Sequence, residues 1–320
     1  LRNDETILTA RNIPLKGRQM QLSCYKGKQI SFRLRTRMAV WLLFALPIAT
    51  LSAATLDEAI RAVEAQQYSA AIRLLAGNRA RTAPELFLLG KAYFQMGNFD
   101  EAAEALERAV AAAPGNSAMR NWLGRAQGMR AERANPFRAM GLARQARDQF
   151  EAAVKADPKN LEAVSDLFSF YLAAPGFLGG GIEKAQALAE TVKAVNPGEY
   201  AFLQAQLAEK RKDYVAAEKH YCEAQAREPQ RVGRWIDLAK FYTRRGMNAQ
   251  AEEALGKAKA LAPGAPRLLF DEANLLVRAG RGKAQARELL RKYQASARLD
   301  SDPAPYEVQQ LLEKLEKLEK

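Results

Sequence analysis

From residue 55 onward, apolar residues recur at three- and four-residue spacings, in runs separated by short polar breaks. In PELFLLGKAYFQMGNFDEAAEALERAVAAAP, residues 84–114, Leu86, Leu89 and Tyr93 form one stripe and Ala102, Leu106 and Ala109 a second. The break at MGNFD and the stop at Pro114 predict two amphipathic helices around a tight turn. The same pattern returns in 231–263, through Trp235, Leu238, Ala239 and Tyr242, then Ala251, Leu255, Ala258 and Pro263. Residues 198–229 repeat it through Ala205, Tyr214, Ala217, Tyr221, Ala224 and Pro229, with Gln204 where a Leu is usual. A weaker unit spans 265–293 and a degenerate one 55–80. The chain from 55 onward therefore reads as a tandem array of helix hairpins.

Counting Ala83 as position 1, Leu86, Leu89, Gly90 and Tyr93 fall at positions 4, 7, 8 and 11, and Ala102, Leu106, Ala109 and Pro114 at 20, 24, 27 and 32. From Pro229 to Pro263 is 34 residues. This grammar resembles the tetratricopeptide repeat (TPR). The resemblance implies an all-α, right-handed superhelical solenoid of about six to seven TPR helix hairpins over 55–302, its concave face lined by the first helix, A, of each pair. Residues 303–320, with Leu311, Leu312, Leu315 and Leu318 along one face, are expected to form a C-terminal capping helix. A short coiled coil giving a dimer is the alternative.

Two units are too long. Pro114 to Pro158 is 44 residues and Pro158 to Pro197 is 39, which places insertions at 128–142 and 173–182, in the turns between A and B. The second contains AAPGFLGGGIEKA. No strand precedes its glycines and no Lys-Ser or Lys-Thr follows, so a phosphate-binding loop lacks its context. An extended hairpin turn is the expectation, an anion site at the following helix N-terminus the alternative. The spacing also resembles exported bacterial TPR proteins with an APGxxGGG turn. Stacking should set the two insertions side by side on one edge. That edge offers Arg130, Arg133, Phe137, Arg138, Phe177 and Leu178 as contact candidates, with Met140 beside them.

The resemblance also implies which A-helix positions face the groove. Position 9 supplies Lys91, Arg125, Ser169, Gln206, Lys240 and Asn274. Position 13 adds Lys210, Arg244 and Arg278; position 5 supplies Phe87, Asn121, Ser165, Phe202, Ile236 and Phe270. These predict a cationic, polar groove with intermittent aromatics, suited to extended or carboxylate-bearing peptide segments of other proteins. The Lys/Asn clamp of chaperone-binding members is incomplete here, so that partner is not carried over.

Composition and charge refine this picture. Net charge is +13, but residues 1–54 hold nine Lys and Arg against two Asp and Glu, leaving +6 over 55–320. That is too little to imply nucleic acid. Arg33, Arg35 and Arg37 precede an uncharged run at 38–54, interrupted by Pro47 and closed by Ser52 and Ala54. This reads as a signal-peptide core with cleavage before Thr55 and export to the periplasm. An uncleaved inner-membrane anchor, the one membrane contact foreseen, is the alternative. Residues 1–37 read as an extension of doubtful authenticity, with Met20 or Met38 as the true start. Cys24 lies in the leader, so Cys222 has no intramolecular partner after cleavage and reads as a packed helix residue. His220 is the single histidine. With no Cys/His cluster and no nucleophile motif, no metal, cofactor or catalytic residue is expected. A non-enzymatic interaction scaffold is the reading; an accessory subunit of an envelope enzyme, or a binder of an anionic polysaccharide or nucleic acid, is the alternative.

Overall fold

The computed structural model describes residues 55–76, 81–296 and 302–319, all within one compact unit spanning 51–320. The leader, its cleavage site and the start-site question lie outside the described residues. The described residues are helical almost throughout. Helices α1 (55–64) and α2 (Tyr68–Ala76) form the first hairpin. It is followed by α3 (Ala83–Gln95) with α4 (Phe99–Ala112), α5 (Ser117–Arg133) with α6 (Pro136–Ala156), and α7 (Leu161–Ala173) with α8 (Ile182–Val192). Then come α9 (Pro197–Lys210) with α10 (Tyr214–Arg227), α11 (Val232–Arg244) with α12 (Asn248–Leu261), and α13 (Pro266–Arg278) with α14 (Lys283–Ala295). Helix α15 (Pro305–Glu319) ends the array.

Partners within the hairpins α3–α4, α5–α6, α9–α10, α11–α12 and α13–α14 pack most extensively, and α3, α5, α7 and α9 touch in succession, as do α11 and α13. The odd-numbered helices therefore line the inner face. Close packing within each pair follows from small residues at the crossing. A Cβ added to Gly124 would lie 2.6 Å from the Phe150 ring, and one on Gly90 2.5 Å from Leu106 Cγ. Helix α15 caps the end: Val308, Leu311 and Leu315 are buried against Phe270, Ala273 and Leu290 of the last hairpin.

Five of the seven A–B turns share one geometry. Gly97, Gly246 and Gly280 have φ of 78°, 72° and 66° two residues past the A helix, and the residue after each returns a backbone bond into the helix, as in Asn98 N–H to Tyr93 O (3.0 Å). This is the Schellman closure that favours a left-handed residue. In the α9–α10 turn the same place holds Lys212, φ 63°, and in the α1–α2 turn Gln66, φ 58°.

The first insertion differs from the sequence expectation. Its surplus makes no long turn; it lengthens α5 to 17 residues and α6 to 21, leaving only Ala134 and Asn135 between them. Asn135 accepts from Arg138 N–H (3.1 Å) and Pro136 opens the helix, a start signal that lets nearly all of 128–142 be helical. The second insertion is a turn, with a 3₁₀ turn at Gly176–Leu178 before α8. Gly179 and Gly181 have φ of 92° and 149°, and a Cβ on Gly180 would collide with the Ala174 carbonyl. Gly181 N–H closes back on Tyr171 O (2.9 Å). The glycines are thus accounted for by the turn.

Lys212→Gly should raise stability by about 1 kcal/mol by relieving a left-handed non-glycine residue. Gly180→Ala should lower it by about 1–3 kcal/mol, whereas Gly176→Ala, where a Cβ meets open space, should be silent. Urea denaturation midpoints at constant m-value check all three.

A candidate partner-binding groove

The inner face carries the expected side chains, but its cations are engaged by the chain's own groups. Arg125 bonds Asp166 (2.5 Å) and Glu162 (2.7 Å) of α7. Lys240 bonds Asp271 (2.9 Å) of α13, and Arg244 forks onto Glu209 of α9 (2.6 and 2.8 Å). Lys91 stands over Phe87 and Trp122, 5.9 and 5.2 Å from the ring centroids. Arg278 donates to Asn274 (3.2 Å) on its own helix. Asn121 donates to Asp166 (2.8 Å). Gln206 and Lys210 line a shallow hollow with Arg244. Phe202 faces the groove under Arg234, while Phe270 is covered by α15. Three of the cations read from the sequence, Arg125, Lys240 and Arg244, are therefore paired with carboxylates of neighbouring repeats.

These pairs follow a rule that the sequence contains. Three residues before position 9, at position 6, stand Asp166, Asp237 and Asp271. Arg125 and Lys240, at position 9, meet the position-6 carboxylate of the next repeat. The preceding repeat has Gln206 at position 9, so Asp237 lacks the inter-repeat cation that Asp166 and Asp271 have; Arg234 Nη1 stands 3.6 Å away. Burial pushes the Asp237 carboxyl up to about 6, against the pull of Lys240 and Arg234.

Beside it lies a buried charge cluster. Arg234, 3% exposed, bonds Glu199 (2.7 Å) and Glu228 (2.5 Å) and lies over the Phe202 ring at 4.7 Å. Breaking such a cluster on one side leaves a carboxylate buried without a counter-charge. Its paired geometry marks it as a brace between α9 and α11.

Toward the other end, the groove deepens into a cavity of about 590 Å³ bounded by α3, α5, α6, α7 and the entry to α15. Its walls are Phe94, Trp122, Phe150 and Phe170. Tyr306, at the start of α15, closes one side by packing edge-on to Phe94 (5.8 Å) and Phe99 (5.2 Å). Pro303 and Ala304 before it are buried, and the Pro303 carbonyl accepts from Tyr293 (2.7 Å). The capping segment thus crosses the inner face from the last hairpin to the second. None of these wall residues is among the site candidates read from the sequence.

On the insertion edge, Arg130 bonds Asp100 (2.6 Å). Arg133 donates to Gly97 O (3.0 Å) and lies over Phe99 at 4.3 Å. Both bind the preceding turn, and Arg138 lines the cleft they form. Arg147 of α6 donates to Leu178 O (3.1 Å), so the glycine turn does lie against the preceding hairpin. Phe137 and Phe177 are 87% and 68% exposed, so neither tucks into the solenoid. Phe137 lies ten positions before Arg147 on α6, roughly 15 Å along the helix. Cys222 is exposed on α10, correcting the packed position read from the sequence; partial burial of its thiol raises the pKa and disfavours the thiolate. His220 is half-buried, 3.5 Å from Glu223. Among the described residues no group of three or more His, Cys, Asp and Glu forms a metal-ligand set.

Antiparallel helix pairs stacked in register, with one helix of each pair on the inner face, define a helical-repeat solenoid. A family model described as "Tetratricopeptide repeat" matches residues 87–127, from α3 into α5. A tetratricopeptide repeat protein from Parabacteroides merdae has the same fold at 15% identity, covering 83% of this chain and 98% of its own, with a TM-score of 0.52. A thermophilic TPR protein of Thermus thermophilus matches at 19% identity over 63% of this chain and 99% of its own, with a TM-score of 0.47. At these identities the likeness concerns the fold alone. No curated protein matches.

Asp237 makes stability depend on pH. Because its folded pKa is raised, its contribution falls as pH climbs from about 4 to about 6 and stays low above. Asp237→Asn should therefore be more stable than wild type at pH 7, by about 2 kcal/mol, and equal to it below about pH 4. Denaturant titrations at pH 3.5 and 7 read this difference directly.

Proposed function

We propose that this chain is a non-enzymatic protein-interaction scaffold of the bacterial envelope that holds partner segments in its inner groove. The repeat class supports the first part, since stacked hairpins of this kind serve protein–protein interaction. The leader's basic residues and apolar run support export. The observation that carries the groove reading is the aromatic cavity at Phe94, Trp122 and Phe170, concave and bounded by several repeats. It is already bordered by the chain's own segment entering α15, through Asp302, Ala304 and Tyr306.

Pairing of the groove cations changes what the partner must bring. With Arg125, Lys240 and Arg244 held by carboxylates, an acidic peptide would have to displace existing bonds. Apolar and aromatic contacts give the main attraction, so capture should weaken only slightly with salt. A polysaccharide or nucleic-acid ligand would show a steep salt slope instead.

The test is capture of envelope proteins by the intact chain and by a groove block. Ser169 is exposed and lines the cavity, so Ser169→Trp fills the space without removing a packing contact. The partner should be lost from Ser169→Trp and retained when residues 175–181 are shortened, both with unchanged helical spectra. Retention by Ser169→Trp refutes the groove. Envelope location is checked by fractionation and by the N-terminus of the exported chain, expected at Thr55.

A further inference from the structure

The segment entering α15 touches both ends of the array, and the two ends hold it very differently. On the last hairpin the hold is deep. Val308, Leu311 and Leu315 are buried against α13 and α14, and the buried Tyr293 hydroxyl donates to Pro303 O (2.7 Å). Ala304 N–H donates to Glu307 Oε2 (2.7 Å), the return bond of a capping box, which fixes where α15 starts. On the second hairpin the hold is a single ring. Tyr306 packs edge-on to Phe94 and Phe99, and its Cβ lies 3.3 Å from where a Cβ on Gly97 would stand. Among the described residues its hydroxyl forms no hydrogen bond.

The slot for that ring belongs wholly to the second hairpin: Phe94 ends α3, Gly97 makes the turn and Phe99 opens α4. Phe94 is also a wall of the groove cavity. The chain's own tyrosine therefore stands where a captured segment would seek its aromatic contact.

The join that carries α13–α15 is the loosest between hairpins. Helix α12 meets α13 far less extensively than any other second helix meets the first helix of the following hairpin. Beside the connecting turn the join is packed, with Ile236, Ala258 and Leu268 in one buried cluster and Lys240 bonded to Asp271 one turn further on. Away from the turn the helices part around a cavity of about 460 Å³, lined by Ala251, Leu255, Leu275, Leu276 and Ala279. Two ion pairs cross this seam, Lys259–Glu272 and Arg281–Glu252, both at 2.8 Å. Solvent reaches at least one partner in each, and such pairs hold weakly. A join packed at the connection and open beyond it has the geometry of a hinge, and Gly264, φ 79°, lies in that connection.

We propose that α13–α15 is a gate over the groove: it swings on the connection at 262–265, withdraws Tyr306 from Phe94 and Phe99, and yields that slot to an aromatic side chain of the partner segment. Residues 302–306 are then an intramolecular stand-in for the partner, and capture proceeds by displacement. The partner's apparent affinity is reduced by the fraction of chains that are open. This inference rests on the groove reading and adds to it a regulation and the residue type that competes.

The experiment is calorimetric titration of the full chain with the probe acetyl-Ser-Asp-Pro-Ala-Pro-Tyr-Glu-Val amide, which copies residues 301–308. The same peptide with Ala in place of Tyr is the comparison. Wild type should bind the probe weakly, at about millimolar concentration, and Tyr306→Ala at least about tenfold more tightly. Tyr306→Phe keeps the ring and should match wild type, and the Ala peptide should bind none of them. If Tyr306→Ala loses its helical spectrum, Tyr306→Leu takes its place with the same expectation. Gly256 lines the seam cavity, and a Cβ there meets open space. Gly256→Leu fills the cavity as it stands, so it should hold the gate shut and weaken probe binding about threefold or more.

Equal binding by wild type and Tyr306→Ala, or equal binding of the Ala peptide, overturns the proposal. Binding by Tyr306→Ala with none by wild type makes Tyr306 a fixed contact and overturns the gate. Indifference to Gly256→Leu overturns the swing at the seam. The groove reading fails by a different result: if the captured envelope partner survives Ser169→Trp, the groove is refuted whatever the probe does. If that partner is lost from Ser169→Trp while Tyr306→Ala binds the probe no better than wild type, the groove stands and the gate falls.

Discussion

The close approach of paired helices at small side chains sets the rest of the structure. Gly124 against the Phe150 ring and Gly90 against Leu106 leave no room for a methyl group. Ala102 is fully buried beside Gly90, and Ala205, Ala239 and Ala273 are fully buried in other pairs. A hairpin this tight has an apolar stripe left over on each side, which only another hairpin can cover. The array follows from that requirement. The inner face follows from the array, since α3, α5, α7 and α9 are brought into contact one after another.

Stacking also decides what happens to charge. Neighbouring A helices lie close enough for a side chain of one repeat to reach a side chain of the next, so cations and carboxylates one repeat apart become pairs. The result is a groove whose basic residues brace the superhelix, Arg125 to Asp166 and Lys240 to Asp271. Where the register lacks a cation, at Gln206, the carboxylate of Asp237 is left at a cost.

Much of the fold was legible because its determinants are local and periodic. The stripe positions, the small residues at position 8, the turn glycines and the closing prolines each mark a place in a hairpin. The glycine triplet was legible as a turn for the same reason. The lengthened α5 and α6 were misplaced as a loop although Asn135-Pro136 announces a helix start, because period counting locates a surplus without saying what it forms. The groove charge is not legible one helix at a time, because it is set by pairs between repeats. Asp at position 6 was visible in three repeats, and pairing it with the preceding repeat would have found the neutralisation. The aromatic cavity was beyond reach: Phe94 and Trp122 sit at packing positions, and what opens them to a cavity and adds Tyr306 is the path of α15, set by contacts distant in sequence.

That path has a consequence for how the chain acquires its structure. A solenoid is nearly one-dimensional, each unit depending on its neighbours, and such arrays can fray from an end one unit at a time. Tyr306 joins the last element to Phe94 and Phe99 of the second hairpin, across most of the array. Such a contact closes a very long loop and gains nothing until every intervening unit is in place. It therefore belongs to the final stage of folding. Once made, it ties the two ends into one cooperative unit, so that the terminal helix reports on the integrity of hairpins it does not follow in sequence.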